Sequence, residues 1–195
     1  MILVVAIMAS IFVALLRGGK LALLSQVKLK GAWLIPLAFL MQVFVVFVPG
    51  GRTNGLSDPA ALLTLVSYLV LMVAVIINRR LPGMALIGMG LLANLAVIAA
   101  NGGFMPIEPH IVQLLGHSVR VQALEPGYRV HQAKDVILLR EDTRLWILSD
   151  ILVIPPPSPL RSAFSLGDVL LIAGLFVLIQ RSMVQPTGKE LSHAS

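Results

Sequence analysis

Apolar residues are gathered into five long runs, and nearly all charged residues lie between those runs. A helix needs about 17–25 predominantly apolar residues to cross the hydrocarbon core of a membrane. The first run is short for a span, but no basic residue precedes it and no clear cleavage site follows it, so we interpret it as a retained helix rather than a signal peptide. The predicted spans are Met1–Leu16, Trp33–Pro49, Ala60–Ile77, Met84–Ala100 and Phe164–Met183.

The polar stretches divide the chain into four parts. Residues 1–100 are expected to hold four transmembrane helices and residues 101–163 a long extracytoplasmic loop. Residues 164–183 form the fifth predicted helix, and residues 184–195 a cytoplasmic tail. The predicted fold class is an all-α membrane protein of about five helices, whose loop contains short interfacial elements.

Composition supports a lipid environment. Of the 195 residues, 57% are hydrophobic and 12% are charged, whereas a soluble domain carries about 25% charged residues. The mean hydropathy is +0.93. The lipid bilayer is therefore the first expected partner, and other membrane subunits could join it.

The distribution of basic residues predicts the orientation. One side of the predicted membrane carries a single acid, Glu190, whereas the other side has as many acids as bases. Because cytoplasmic loops are rich in lysine and arginine, the N-terminus and the long loop are expected outside and the C-terminus inside a bacterial cytoplasmic membrane. This arrangement of charge explains the net charge of +6 without a nucleic-acid partner. The predicted cytoplasmic basic residues are Arg17, Lys20, Lys28, Lys30, Arg79, Arg80, Arg181 and Lys189.

The long loop has its own pattern. Ile107–Gly116 has the apolar spacing of a short amphipathic helix, and Val136–Leu139 is expected to form a strand. Leu145–Ile154 is too short to span a membrane and too apolar to stand in water, so we expect it to pack into the interface or dip into the bundle. The proline-rich segment Pro155–Pro159 predicts a stiff extended connector.

One candidate ligand site opens this loop. Gly102 and Gly103 follow Asn101 at the end of a predicted helix, where glycine commonly terminates a helix. The same two glycines would also let a ligand approach the backbone. Together with Trp146, these residues are a candidate site for a lipid or a quinone.

Three aspartates are candidate catalytic residues. Asp168 lies three residues after Ser165, the spacing of a helix capping box, and Asp150 lies in an apolar stretch, where an acid is costly without a partner. If Asp150 or Asp142 folds next to Asp168, the pKa values of the two carboxyls would separate, as an acid and base pair requires.

Three segments resemble an uncharacterised family of bacterial membrane proteins, a domain of unknown function. The segments are residues 101–106 (NGGFMP), 143–150 (TRLWILSD) and 164–168 (FSLGD). The resemblance covers most of the chain and implies no activity.

Two segments are also similar to lipoprotein signal peptidase, an intramembrane aspartic protease. Phe164–Asp168 resembles the motif that begins the last helix of that family, and Leu148–Leu152 resembles a stretch that carries an aspartate shortly before it. The other catalytic aspartate of the family would fall at Val97, so Asp142 or Asp150 would have to replace it. The resemblance implies four shared helices with a site facing outward.

These features leave three functions open. A structural or accessory subunit of a membrane complex ranks slightly ahead, because few ionisable residues lie within the predicted spans. The alternatives are an outward-facing aspartyl hydrolase and a lipid-binding or quinone-binding protein. No cofactor is indicated, and no metal site is expected, because the chain has no cysteine and its four histidines lack paired ligand spacing.

Overall fold

A computed structural model describes residues 2–49, 51–115, 125–130 and 133–184. Three of the histidines (His117, His131 and His193) and the predicted tail beyond residue 184 lie outside the described residues, as does the end of the predicted helix 107–116.

Helices dominate the described residues. Two of them, Pro59–Ile77 and Leu166–Met183, are long and apolar enough to cross a membrane. The mostly helical fold class is therefore confirmed with two candidate spans, and the other three spans stay predictions, because their apolar helices have 14 to 17 residues. The helices are α1 (Ile2–Leu16), α2 (Leu21–Leu24), α3 (Leu34–Phe47), α4 (Pro59–Ile77), α5 (Met84–Ala100), α6 (Pro109–Leu114) and α7 (Leu166–Met183).

The long helices pack in an order that differs from their order in the chain. Helix α3 packs against α4, α4 against α5, α5 against α7, and α7 against α1. Helix α7 therefore lies between α5 and α1. Its contact with α5 is close, because Gly90 and Gly167 leave the backbones room to approach.

Local chemistry sets where these helices begin and end. The Asp58 side chain accepts a hydrogen bond from the Ala60 amide (2.9 Å), and Pro59 occupies the first turn of α4, where its missing N–H costs nothing. Helix α5 ends at Ala100, and Gly102 and Gly103 follow directly after its cap residue Asn101 with positive φ angles (+82° and +93°). The helix-terminating interpretation of these glycines is confirmed.

The described residues between 101 and 164 (101–115, 125–130 and 133–164) form a small cap over one end of the bundle. Strands β1 (Met105–Ile107) and β2 (Asp135–Ile137) pair in parallel, and strands β3 (Leu152–Ile154) and β4 (Ser162–Phe164) pair antiparallel. Helix α6 packs its buried Ile111 and Val112 against the first pair.

The cap corrects two expectations about the loop. Strand β2 begins one residue before the predicted strand and ends two residues earlier. The segment Pro155–Pro159 is not an extended connector, because it contains a turn and joins two antiparallel strands, so the chain reverses there. Leu145–Ile154 holds a 3-10 turn at Trp146–Leu148 followed by β3.

One buried arginine ties the cap to helix α3. Arg129 is 5% exposed, and its guanidinium donates to the carbonyl of Val45 (3.0 Å) near the C-terminal end of α3. The same group lies 4.7 Å from the centre of the Phe104 ring. A cation suits the negative end of a helix dipole and an aromatic face, so the contact fixes the cap on the bundle.

Candidate functional site

A cavity of about 310 Å³ lies between the helices and the cap. Its walls come from the N-terminal ends of α1 and α7, the C-terminal ends of α3 and α5, the middle of α4, and the two strand pairs. The lining residues are Ile2, Leu3, Val46, Tyr68, Asn94, Ile98, Met105, Ala133, Lys134, Asp135, Asp150, Ser162, Ala163 and Asp168. The lining is therefore mixed: apolar side chains occur together with three carboxyls, an amine, an amide, a hydroxyl and a phenol.

Asp168 is held on the cavity wall by a capping box. The Ser165 hydroxyl accepts from the Asp168 amide (3.0 Å), and the Ser165 amide donates to Oδ2 of Asp168 (3.2 Å). The capping interpretation of these residues is confirmed. Because Asp168 lines the cavity as well, its role as a cap and a role toward a ligand are compatible.

Asn94 joins this cap to helix α5. The Asn94 amide donates to Oδ1 of Asp168 (3.0 Å), and its Oδ1 accepts from the Ser165 hydroxyl (2.8 Å). Asn94 is 1% exposed, and Gly167 leaves it room, because a side chain at Gly167 would collide with the Asn94 carbonyl oxygen. Both oxygens of Asp168 thus accept hydrogen bonds at the N-terminus of α7.

Asp150 has the opposite environment. It is 9% exposed, and its Oδ1 has no hydrogen-bond partner among the described residues. Its backbone amide donates to the Pro106 carbonyl of β1 (3.3 Å), which fixes the residue at the cavity wall. Burial raises the pKa of the Asp150 carboxyl well above its usual range, and the nearby carboxyls of Asp135 and Asp168 raise it further.

Lys134 and Asp135 bring one charge of each sign. Burial raises the pKa of Asp135 to about 6, although Lys134 acts to lower it. The pKa of the Lys134 ammonium is raised, and the largest cause is the nearby Tyr68. Burial acts to lower this pKa, whereas Asp135 acts to raise it further. The ammonium donates to Oε1 of Gln42 (3.0 Å) and lies 5.8 Å from the centre of the Tyr68 ring.

The site therefore combines three carboxyls in different environments. Both oxygens of Asp168 are hydrogen-bonded, Asp150 is buried with Oδ1 unpartnered among the described residues, and burial raises the pKa of Asp135 to about 6. Such a lining can exchange hydrogen bonds with a ligand through Asp150 and Asp168 and neutralise a positive group.

Comparison with known families gives this geometry a context. The profile of a family of unknown function, DUF5317, matches residues 26–180. The chain belongs to the DUF5317 family. The expected membership of a family of unknown function is thus confirmed. No curated protein and no solved structure matches the chain.

The DUF5317 match contains all the polar lining residues of the cavity and excludes α1. Val97, the position where the signal-peptidase resemblance would require an aspartate, is fully buried in the apolar core between the helices. The carboxyls that line the cavity are those of Asp135, Asp150 and Asp168.

The other predicted site residues lie away from the cavity. Asp142 is exposed in a 3-10 turn. The Asn101 amide donates to the Arg144 carbonyl (2.8 Å) and its Oδ1 accepts from the Arg144 amide (2.9 Å). Gly103 packs against Ala61.

Trp146 belongs to a separate surface contact. Its ring centre lies 3.7 Å from the guanidinium carbon of Arg140, so the ring face is covered by a cation of the same loop. The predicted ligand site at Asn101, Gly102, Gly103 and Trp146 stays a prediction, since none of the four lines the cavity.

Sequence reasoning missed five polar residues that line the cavity: Tyr68, Asn94, Lys134, Asp135 and Ser162. Asn94 lies in an apolar helix, where a single amide is a signal because buried polar groups need partners. Tyr68 carries a similar signal in α4. Lys134 and Asp135 were not distinguishable from other charges of the loop, because only the pairing of β2 with β1 brings them to the cavity.

Proposed function

We propose that this DUF5317 protein is a five-span protein of the bacterial cytoplasmic membrane that binds a small amphipathic molecule in the cavity at its outer end. The observation that carries the binding role is the cavity itself, whose lining combines apolar side chains with polar ones, among them Asp150, whose Oδ1 has no hydrogen-bond partner among the described residues. Binding sites for small molecules are concave, mostly apolar and equipped with a few polar groups that fix orientation.

The distribution of exposed residues supports the membrane part of the proposal. Helix α3 buries only Ala38 and Val45, while Phe39, Phe44 and Phe47 are 63–76% exposed. The interior, in contrast, holds small polar residues that are at most 1% exposed: Ser10, Thr64, Ser67, Asn94 and Ser165. Apolar residues outside and hydrogen-bonded polar residues inside suit a lipid surrounding.

The basic residues support the orientation. The amide of Lys20 donates to the carbonyl of Met183 (3.0 Å), and the amide of Lys30 donates to Asn78 (2.8 Å). These contacts bring the predicted cytoplasmic segments together at the end of the bundle opposite the cavity. An outward-facing cavity follows from the positive-inside rule.

Lipid extraction tests the binding role. The protein is purified from its own membrane in lipid nanodiscs, and bound molecules are extracted and identified by mass spectrometry. We expect one amphipathic molecule to be enriched over the bulk lipid in the wild type and lost in Ala163→Phe, which fills the cavity. The control Ala32→Phe adds the same ring at an exposed position outside the cavity. Equal recovery from all three proteins, or no enrichment in the wild type, would refute the binding role.

A second function, aspartyl hydrolysis, is favoured by the different environments of Asp150 and Asp168. In this reaction ionised Asp168 takes a proton from water as the water oxygen bonds to a substrate carbonyl carbon, and protonated Asp150 donates to the carbonyl oxygen. The carbon–nitrogen bond then breaks as the leaving amine takes the proton from Asp168, and one hydroxyl of the tetrahedral carbon returns its proton to Asp150 as the carbonyl forms again.

A cleavage assay on a lipoprotein precursor tests this second function. Asp150→Asn and Asp168→Asn should each abolish cleavage, whereas Asp142→Asn should retain it, because Asp142 is exposed and does not line the cavity. Absence of cleavage by the folded wild type would reject lipoprotein cleavage. Cleavage that survives Asp168→Asn would reject the assigned base.

A further inference from the structure

More acidic than basic side chains line the cavity. Three carboxyls line it, from Asp135, Asp150 and Asp168, but only one amine, from Lys134. Within the described ranges, no lysine or arginine nitrogen lies within 4.0 Å of any of these three carboxyls. The acids of the site therefore lack direct positive partners from the part of the chain that the structure describes.

The lysine is engaged elsewhere. Its ammonium donates to Gln42 and lies over the Tyr68 ring, so these groups hold it at one side of the cavity. It reduces the negative charge of the wall without forming a salt bridge with a carboxylate. An anionic head group would have to approach past three carboxyls to reach it, which costs Coulomb energy in a poorly solvated site.

Asp150 is the second and independent observation. Its side chain is more than nine-tenths buried at the cavity wall, and Oδ1 has no hydrogen-bond partner within the described residues. A buried acceptor without a partner costs about 1–3 kcal/mol. A ligand that donates an N–H to the Asp150 carboxyl would give it a hydrogen-bond partner.

The three carboxyls do not form a metal site. In the described segments, no group of three or more histidine, aspartate or glutamate side chains is close enough to hold a metal ion. A metal ion needs its oxygen ligands at 2.0–2.6 Å, whereas an organic cation is wider and carries several donors. It can therefore contact carboxyls that stand apart from one another.

We propose that the head group bound in this cavity is a protonated amine. This inference rests on the proposed binding function and names the class of its ligand, an amphipathic amine. The ammonium group would lie among Asp135, Asp150 and Asp168. The apolar part would lie against Ile2, Leu3 and Ile98. A head group that donates hydrogen bonds fits better than a quaternary one, because Asp150 needs a donor.

Proton release accompanies this binding. Five titratable groups face the ammonium. They are Asp150 of the cap, Asp168 of α7, Tyr68 of α4, Asp135 at the first position of β2, and Lys134 directly before it. A cation among the carboxyls favours their ionised forms. The affinity for an amine is therefore expected to rise as the pH increases through about 6, where Asp135 loses its proton.

Three probes of equal length test the inference: hexylammonium, hexan-1-ol and hexanoate. Their binding is measured by ligand-observed NMR with the protein in phosphatidylcholine nanodiscs, and empty discs report partition into the lipid. At pH 8 we expect hexylammonium to bind at least tenfold more tightly than hexan-1-ol, and hexanoate to bind more weakly still. This preference should shrink at pH 5 and in Asp150→Asn, but persist in Asp142→Asn.

The possible failures are distinguishable. If hexan-1-ol or hexanoate binds as tightly as hexylammonium and Ala163→Phe removes that binding, the cavity binds ligands but the amine inference is wrong. If no probe binds to the wild type above empty discs, both the proposed binding function and the inference fail. A preference for hexylammonium that survives Ala163→Phe would locate the amine outside this cavity and overturn the inference.

Discussion

Asn94 connects two helices through one side-chain amide. It donates to Asp168 and accepts from Ser165, so the start of α7 is fixed to α5 at the point where the cavity begins. Each of the three residues satisfies another, and none can change its hydrogen bonding without leaving a buried group unpaired. Such a network is expected to respond to substitution as a unit.

Substitution of Asn94 should reveal this coupling. We expect Asn94→Leu to lower the free energy of unfolding by about 1–3 kcal/mol, because it leaves buried acceptors and a hydroxyl without a partner. Ser165→Ala removes the cap and should cost about 0.5–2 kcal/mol. The double variant should lose less than the sum, with a coupling energy of about 0.5–3 kcal/mol in reversible unfolding. Additive losses would mean that the residues act independently.

The pH dependence of stability belongs to the same scale. Asp135 and Asp150 bind a proton more tightly in the folded chain than in the unfolded chain, where the pKa of an aspartate is about 3.9. The folded state thus holds more protons above about pH 4, and the free energy of unfolding falls as the pH rises. The share of Asp135 is lost by about pH 6, and that of Asp150 extends to higher pH.

Melting temperatures between pH 4 and 8 check this dependence. Asp150→Asn imitates the protonated carboxyl and removes the share of Asp150, so its melting temperature should fall less with rising pH than that of the wild type. Asp142→Asn is the control and should follow the wild type. Parallel curves for Asp150→Asn and the wild type would contradict the assignment.

The candidate site was partly predictable at this scale. Asp150 and Asp168 could be selected because acids in apolar stretches need partners, and both line the cavity. The sequence alone could not rule out Asp142 as a site residue, because its exposure to solvent depends on the fold of the cap. Lys134 and Asp135 reach the cavity through a strand pairing of only three residues, which carries almost no local signal.

At the scale of elements, the contact between α5 and α7 depends on glycine. A Cβ at Gly90 would lie 2.5 Å from the carbonyl oxygen of Gly167, and Leu171 is also near. Gly88 is on the same helix, but its nearest neighbour is a side-chain methyl of Val75 at 3.2 Å. A side chain can move aside, whereas a helix backbone cannot without separating the two helices.

Two alanine substitutions therefore form a matched pair. We expect Gly90→Ala to lower the free energy of unfolding by about 1–3 kcal/mol, because it overpacks the interface. Gly88→Ala should be neutral or stabilise by up to about 1 kcal/mol, since alanine is the better helix former. Thermal unfolding in the same detergent measures both. Equal effects would mean that the close approach of α5 and α7 is not essential.

Long helices could be predicted from the sequence, whereas short strands could not. Each of the five apolar runs contains one long helix, since an uninterrupted run and its flanking caps are local signals. The strands of the cap were mostly missed, because three-residue pairings depend on partners distant in sequence. The reversal at Pro155–Pro159 was missed for the same reason, as β3 and β4 define it.

At the scale of the whole molecule, the orientation in the membrane is a direct target for labelling. The chain has no cysteine, so single cysteines can be introduced without removing native ones. Ser57 and Glu141 are exposed near the cavity end, and Ser25 is exposed near the opposite end.

A membrane-impermeant maleimide applied to intact cells should label Ser57→Cys and Glu141→Cys but not Ser25→Cys. Permeabilised cells should show labelling of all three, which controls for reactivity. The reverse pattern would invert the proposed orientation. Labelling of all three in intact cells would contradict a spanning arrangement, because both ends of the bundle would then be accessible from outside.

The accessory-subunit prediction also belongs to this scale. Native mass spectrometry of a mild detergent extract should detect partner chains in a fixed ratio if the protein is a subunit. A lone chain would contradict that role and leave the cavity as the centre of function.

The position of α7 between α5 and α1 has a consequence for biosynthesis. Helix α1 is made first, yet it packs chiefly against α7, which is made last. At roughly 5–20 residues per second, α1 has no α7 to pack against for about 8–30 s, and its polar Ser10 stays uncovered during that time. The cavity also lacks one side until Asp168 is made. A ribosome that stalls before α7 would therefore leave a chain whose cavity is not closed.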